Sequence, residues 1–430
     1  MKLRYRFGLL AALFLAFLVI APIILLRTLG IQYDWQRHTL VQTGSIIART
    51  APRGATISLN GVETGQVTPA TLSFLLPGEY DLGLVKSGYH TWVKHFSLES
   101  GRVVSAGPQN NPIVLFFEHP TETVLSTSTI SLVSEGDNRW AVEATTSLAI
   151  LNLVTQKSVY SAIQDKTSEP VSCSASGTHL FCHVGNNWYM INPDTGQTEL
   201  LILHSIQPKK IVALTPVLLG LLDQNSTVFF YDVQKKLATQ VTNRAFDIVL
   251  GEDSLLALTA SQLLSIKPLE GQPQVLADGI GEYNQGELVP ADGGRVYAIL
   301  DDQLVSLIPL RQNIAQGVAY ANWNKTDEGL LYGNENGFSL WSARSGSPPD
   351  EILRSSVPIS HALYSDATKL AIYRQGSQIK VIEAYETPAR NTITLIDQAD
   401  NSIVSFAIDR DLKILFYLLS DGTLVKSEIR

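Results

Sequence analysis

The sequence predicts an all-β body in two parts behind a single apolar helix. Three observations carry the prediction. Residues 7–26, FGLLAALFLAFLVIAPIILL, hold no charge over the length of about twenty residues that an α-helix needs to cross a bilayer's hydrocarbon core. Beyond them, short runs rich in Val, Ile, Leu, Thr and Ser alternate with Gly, Asn, Asp and Pro, the vocabulary of strands and tight turns, and no helical period or heptad repeat occurs. From residue 120 onward a strand motif recurs at intervals of about forty residues.

The apolar run comes first. A helix satisfies its own backbone hydrogen bonds, so the run suits lipid, with Pro22 kinking it or marking its last turn. Lys2, Arg4 and Arg6 precede it and Arg27 follows, which favours a cytoplasmic start (residues 1–6) and an extracytoplasmic body. Tyr33 and Trp35 follow closely, where aromatic rings favour the lipid–water interface. A cleaved signal peptide is the alternative. Its apolar core spans only about 7–15 residues and ends at a small-x-small site. Here the small residues Ala12, Ala16 and Ala21 lie inside the core. The expectation is therefore one uncleaved transmembrane helix over 7–26, a juxtamembrane linker over 27–42, and attachment to the cell membrane.

The chain of 430 residues has a formal charge of −8, and its basic residues are scattered. No basic patch interleaved with aromatics follows the helix, so nucleic acid is excluded as an expected partner. Two cysteines, Cys173 and Cys182, are too few for a disulfide scaffold.

Residues 43–119 read as a small antiparallel β-sandwich. Ser45–Ala48 and Thr56–Leu59 alternate in polarity, and Asn60-Gly61 follows at once, the strongest short hairpin signal because a type I′ turn needs positive φ at both central residues. Thr68-Pro69, Pro77-Gly78 and Gly88-Tyr89 punctuate further strands around Leu72–Leu76, Tyr80–Lys86 and Thr91–Phe96. Tyr80, Tyr89 and Trp92 read as core or half-buried rings. His90 and His95 fall on opposite faces of a regular strand, a poor metal pair. Ile113–Phe117 is assigned to this domain as its last strand, with the boundary near Pro120.

The order Pro52-x-Gly54-Ala55, Asn60-Gly61, Gly65, Thr68-Pro69, Pro77-Gly78-x-Tyr80, Lys86-x-Gly88-Tyr89 resembles the PEGA domain over about residues 43–117, with Arg53 where that family has Glu. The resemblance implies a β-sandwich of bacterial and archaeal surface proteins, associated with extracytoplasmic binding or spacing and carrying no catalytic motif.

Over 120–430 the recurring strand appears as Ser147–Leu153, Trp188–Asn192, Thr227–Val233, Gln262–Ile266, Gln303–Leu307, Gly337–Trp341, Gln378–Ile382 and Gly422–Lys426. Polar turns precede many copies: Ser172–Gly177, Pro290–Gly294, Asn324–Gly329, Tyr364–Lys369 and Ile408–Asp411. One such unit of three or four strands cannot bury both faces, whereas units packed around an axis can, and a four-stranded repeat near forty residues is a propeller blade. The turn pattern, clearest at Ser174–Gly177, resembles TolB-type and WD-repeat-like propellers, without a His-Gly plus Trp-Asp signature. Eight blades are expected, with seven as the alternative. The last copy leaves no room for a fourth strand, so Thr123–Ser126 is expected to supply it and close the ring. Cys173 and Cys182 flank one hairpin; a cross-strand disulfide and two buried thiols both remain open.

No motif for chemistry stands out: no phosphate loop, no His-Glu-x-x-His, no nucleophile elbow. His179 and His183 lie four apart on a strand, which separates them by about 13 Å. Asp292, Asp301 and Asp302 fall at turns, where Asp bonds its own backbone. The sequons at Asn225 and Asn324 read as plain loop residues. No catalytic, cofactor-binding or metal residue is assigned, and no cofactor is expected. The expected work is non-catalytic binding or scaffolding at the cell envelope, a propeller rim engaging protein or wall polymer. A propeller hydrolase or lyase acting on envelope polysaccharide is the second reading and a structural spacer the third; neither departs from the same fold.

Overall fold

In the computed structural model nearly every element after the first helix is a strand. The structure describes residues 3–35, 38–108, 111–135, 138–144, 148–161, 163, 171–268, 272–281, 283–326, 328–344, 347–385, 389–398 and 402–430, with residues 3–9, 11, 23, 135, 138 and 144 by backbone only. Ser147 of the first strand copy and Asp327 of the Asn324–Gly329 turn lie outside the described residues.

Helix α1 (Leu3–Thr28) runs 26 residues, about 39 Å at 1.5 Å per residue. Among its described side chains, those of residues 12–20 are all exposed, and Leu13, Phe17, Ile20 and Leu25 are each more than half exposed. Among the described residues no helix is long and apolar enough to cross a membrane. The segment expected to span, 7–26, includes residues 7–9, 11 and 23, whose side chains lie outside the described ones. The expected linker over 27–42 is not featureless. Ile31–Asp34 and Thr39–Gln42 form an antiparallel two-stranded ribbon, with Tyr33 and Trp35 edge to face at 4.9 Å.

The chain divides into two compact units, Met1–His119 with Tyr385–Ile393, and Pro120–Ala384 with Thr394–Arg430. In the first, a four-stranded antiparallel sheet runs in the order Val62–Val67, Thr56–Leu59, Gly78–Val85, Trp92–Leu98. Facing it, Gly44–Ala48 pairs antiparallel with Ala70–Leu75 but parallel with Val103–Ser105, and Ile113–Val114 pairs parallel with Thr50–Ala51. The sandwich is thus mixed and not purely antiparallel. Val103–Ser105 arrives by a crossover from the other sheet, and local turn signals reveal hairpins only. Ile46, Ile57, Leu82, Leu84, Trp92 and Leu98 form the core between the sheets. Leu59 and Val62 are register partners across Asn60-Gly61, and both loop residues have positive φ, 50° and 78°, as a type I′ turn requires. Tyr80 donates to the Leu76 carbonyl at 2.7 Å, and Tyr89 packs on Phe117 at 4.6 Å. The unit also contains a segment that the sequence reading placed wholly in the second domain. Lys94, 4% exposed, sits over the Trp92 and Tyr385 rings at 5.6 and 4.7 Å, and Asn391 donates to the Val93 carbonyl.

His95 shares no site with His90. It bridges two carboxylates, Nε2 to Glu79 at 2.9 Å and Nδ1 to Asp81 at 2.8 Å, across the strand pair that sets His95 opposite Asp81. The Asp81 hydrogen bond is the chief cause of a His95 pKa raised above its ordinary value. A raised pKa means the bridge stabilises fully below the unfolded value of about 6.5 and is lost as pH climbs through the folded value. A pH series of urea midpoints for this unit is therefore expected to fall from mildly acid to alkaline pH relative to His95→Gln. Parallel curves for the two proteins would refute the bridge.

Among the described residues the second unit holds eight four-stranded sheets. Their first strands are Thr129–Glu135, Val171–Ser176, Pro208–Thr215, Ala245–Leu250, Gly286–Pro290, Tyr320–Asn324, Ile359–Ser365 and Ile403–Ile408, defining blades 1 to 8. First strands of successive blades pack side by side through most of the ring, and blade 8 returns to blade 1. The expected repeat strand is the third of each sheet, from Leu148–Asn152 to Leu424–Glu428. Thr121–Ser126 pairs antiparallel with Leu424–Glu428 as the outermost strand of blade 8. Each apolar cluster draws on two neighbouring blades. Val133, Trp140 and Ile150 of blade 1 meet Leu180, Cys182 and Ile191 of blade 2, for example, and Ala141 and Leu153 of blade 1 meet Phe416 and Leu424 of blade 8.

One turn was misplaced by the sequence reading. Ser172–Ser176 is strand, and only Gly177-Thr178 turns. The serines at 172 and 174 face solvent while 171, 173 and 175 point inward, so a half-exposed strand imitates a polar loop. In that strand Cys173 stands opposite Cys182, their Cα atoms 4.2 Å apart, and the two form a disulfide. It closes a loop of sequence separation 9. Loop-closure entropy for such a span corresponds to about 3 kcal/mol. Cys173→Ala/Cys182→Ala is expected to lower unfolding stability by about that amount. An unchanged denaturant midpoint would show that the bridge does not constrain the unfolded chain.

Candidate functional site: the two mouths of the ring

The first strands run in one sense along the ring, so the ring has one mouth where they begin and another where they end.

At the beginning mouth, a cleft of 740 Å³ is bordered by Lys209, Lys210, Asp247, Glu287, Asp301 and Asp302. Asp247, 6% exposed, accepts from Lys210 Nζ at 2.8 and 3.0 Å and from the Leu288 backbone N–H at 2.9 Å. One carboxylate thereby ties blades 3, 4 and 5. Glu287 stands next to it, its pKa raised first by burial and then by the Asp247 charge. Asp301 does not bond its own turn as expected; its Oδ1 accepts the N–H groups of Asn284 and Gln285 in the preceding connection.

At the ending mouth, a cleft of 630 Å³ spans blades 6, 7, 8 and 1. Its border includes Trp323, Lys325, His361, Phe406, Arg410 and Arg139. A second cleft of 510 Å³ between blades 4 and 5 adjoins it, and Trp323 lines both. The polar turns of the sequence repeat converge here, and their side chains link successive blades. Lys325 approaches Asp292 at 3.4 Å, Arg295 pairs with Glu328 at 2.9 Å, Thr326 donates to Asp366, and Ser365 donates to the Arg410 carbonyl. Asp292 thus reaches a neighbouring blade, whereas Asp409 does bond its own turn, taking the N–H groups of Lys413 and Ile414 at 2.7 Å each.

The aromatic rings of this mouth are packed. Trp323 stacks on Tyr297 at 5.4 Å and lies under the Arg295 guanidinium at 5.8 Å. His361 sits between Tyr320 at 6.2 Å and Phe406 at 5.9 Å. His361 reaches solvent, yet the surrounding protein, followed by the Arg374 charge, holds its pKa below the ordinary value. Burial pushes the Tyr320 phenol up. Among the described residues, the indole N–H of Trp323, which lines this cleft, is buried without a hydrogen-bond partner.

His179 and His183, four apart on one strand, form no pair: His179 contacts Thr178 and its pKa is lowered by burial, while His183 stacks on Trp188 at 4.9 Å. Among the described residues no group of three His, Cys, Asp or Glu side chains could hold a metal ion. The mouth residues Trp323, His361, Phe406 and Arg410 carry no local motif. The turns that contain them were visible, but their convergence follows from ring closure.

Residues 43–109 match the PEGA domain family. Two solved structures are similar to this chain. The computationally designed Ika8 protein has a TM-score of 0.51 at 12% identity, covering 71% of this chain and 97% of its own. The C-terminal WD40 domain of Sif2 has a TM-score of 0.51 at 12% identity, covering 72% and 98%. At that identity the likeness is one of fold. No curated protein matches the chain.

Proposed function

We propose that this protein is a non-catalytic binding or scaffold protein of the cell envelope, anchored in the membrane by α1 and presenting its propeller outside the cytoplasm. The observation that carries the binding reading is the ending mouth. Side chains and turns from four blades border one cleft there, and its carboxylates are engaged by turn N–H groups or neighbouring hydroxyls instead of being paired for acid–base work. At this mouth that engagement favours binding over a polysaccharide hydrolase or lyase. The anchor reading rests on the uncovered apolar surface of α1 and on the basic residues that precede it. Tethering would raise the propeller's effective concentration at the membrane. The PEGA match supports an extracytoplasmic setting.

The test is made in cells, on the full chain. Alkaline extraction of membranes is expected to leave the protein in the pellet and a variant lacking residues 3–28 in the supernatant. Photo-crosslinker placed at exposed Asn322 is expected to capture an envelope protein or wall polymer. Complete release of the full chain by alkali would end the anchor reading. Absence of any adduct at Asn322, together with glycan cleavage by the purified protein, would replace binding with catalysis.

A further inference from the structure

The two-stranded ribbon after α1 is inside out for a structure in water. Its register sets Tyr33 opposite Leu40, Asp34 opposite Thr39 and Gln32 opposite Val41. Side chains alternate along a strand, so Tyr33 and Leu40 share one face and the other two pairs share the opposite one. The apolar pair is on the open face. Leu40 is 58% exposed, Tyr33 is exposed, and Trp35, edge to face with Tyr33 at 4.9 Å, is 79% exposed. On the opposite face Gln32 and Val41 are half-buried and Asp34 is 6% exposed, leaving only Thr39 open. A sheet with one face in water turns its apolar side inward, and this ribbon does the reverse. The ribbon is also held in place. Gly30, at φ 70°, ends α1, and its carbonyl accepts the Thr43 N–H at 2.7 Å and the Thr43 hydroxyl at 2.8 Å. That clasp joins the two ends of the ribbon at the last turn of the helix, and Gly44 then opens the first strand of the sandwich.

We propose that the Tyr33, Trp35 and Leu40 face of the ribbon docks on the lipid headgroup layer, a second attachment to the membrane beside α1. The inference rests on the anchor reading above and deepens it. Three features select lipid. First, the ribbon cannot leave the bilayer surface. Gly30 lies four residues past Leu26, so it stands at most about 10 Å beyond the apolar run. With residues 7–26 across the hydrocarbon core, the ribbon starts in or beside a headgroup layer about 5–8 Å thick. Lipid is the neighbour already there, and a protein partner would have to displace it. Second, the apolar surface is continuous. Leu25 and Leu29, both exposed, carry it along α1 to the strand Ile31–Asp34, which packs at the helix end. Third, the residue types fit that layer. Trp and Tyr each join an apolar ring to a polar tip. The Tyr33 hydroxyl meets His38 Nδ1 at 3.4 Å, so its polar end is engaged while the ring stays open. Docked in this way, the sandwich would be seated on the bilayer instead of swinging on a free stalk.

The experiment reconstitutes the full chain into vesicles of phosphatidylcholine and phosphatidylglycerol and measures tryptophan quenching by phosphatidylcholine brominated high on its acyl chains. The chain has six tryptophans, so the share of Trp35 is the difference between the parent and Trp35→Phe. Trp35 and Leu40 are exposed, so their variants are expected to fold, which circular dichroism checks. Expected is quenching of the parent that Trp35→Phe loses and Leu40→Glu lowers, and that weakens when the bromine is moved to the chain ends. Alkaline extraction of the same vesicles reads α1 separately. Equal quenching of parent and Trp35→Phe would overturn the proposal, and if the chain still resisted extraction the anchor reading would survive alone. Extraction by alkali with the Trp35 quenching intact beforehand would end the anchor reading and leave the ribbon as the attachment. A Trp35 shielded from aqueous acrylamide yet untouched by brominated lipid would also overturn the proposal and assign the face to a protein, a second copy of this chain included.

Discussion

Replacing Thr123 and Val124 together by proline is expected to open the propeller between blades 8 and 1. Thr121–Ser126 is the outermost strand of blade 8 and pairs with Leu424–Glu428, Thr123 opposite Lys426 and Val124 opposite Val425. Along an antiparallel edge strand alternate N–H groups point at the partner, so of two consecutive residues one must donate to the ladder. Two prolines remove that bond whichever residue makes it, and add ring clashes against the neighbouring strand. The strand also brings Leu125 into the cluster of Ala141, Leu153, Phe416 and Leu424, and Glu122 to the Tyr417 hydroxyl at 2.8 Å. The joint loss is expected to reach at least about 3 kcal/mol. Hydrogen exchange should show it first in Leu424–Glu428, with blades 3 to 5 still protected. Uniform protection, unchanged from the parent chain, would mean that the ring does not depend on this strand for closure.

That closing strand was legible in the sequence because counting forced it: the eighth repeat strand ends a few residues from Arg430, and a blade with one strand missing must borrow it. The third strands were equally legible, since branched and aromatic residues crowd them: Val228–Asp232 and Gly337–Ser342 are examples. The Asn60-Gly61 hairpin was legible because positive φ at two consecutive residues has few sequence solutions. What escaped has a common physical cause. The strand Val171–Ser176 passed for a turn because its outward residues are serines, and a strand between solvent and core shows only half its pattern. The parallel pairing of Val103–Ser105 with Gly44–Ala48, the inclusion of Tyr385–Ile393 in the first unit, and the gathering of Trp323, His361, Phe406 and Arg410 at one mouth are long-range facts. Local propensity carries none of them. The channel residues are set by which strand is innermost and which way it runs, and that emerges only when the ring closes.

The largest single-residue effect is expected at Asp247. Its carboxylate is 6% exposed and holds three blades through three hydrogen bonds, two from Lys210 Nζ and one from the Leu288 N–H. Asp247→Ala leaves an ammonium without its counter-charge and a buried N–H without an acceptor. Breaking one side of a buried ion pair costs about 3–5 kcal/mol, and the stranded N–H about 1–3 more if nothing relaxes. Lys210 is 38% exposed and can turn toward water, so the lower figure applies: about 3 kcal/mol in all, roughly a 5 °C fall in Tm for a unit of this size. Asp247→Asn keeps one carbonyl to accept the Leu288 N–H but offers no charge to Lys210, and is expected to recover part of the loss. The double variant Lys210→Met/Asp247→Leu separates the two causes. If the penalty comes from an unpaired charge, removing both charges should restore more stability than Asp247→Ala retains. If it comes from the lost tie to Leu288, the double variant should be no better. The same series reads out on Glu287, whose pKa the Asp247 charge helps to raise. Without that charge the Glu287 carboxyl should titrate at lower pH, a shift that carboxyl-carbon NMR would detect in folded protein. A Glu287 titration indifferent to Asp247→Asn would sink the electrostatic account of this mouth.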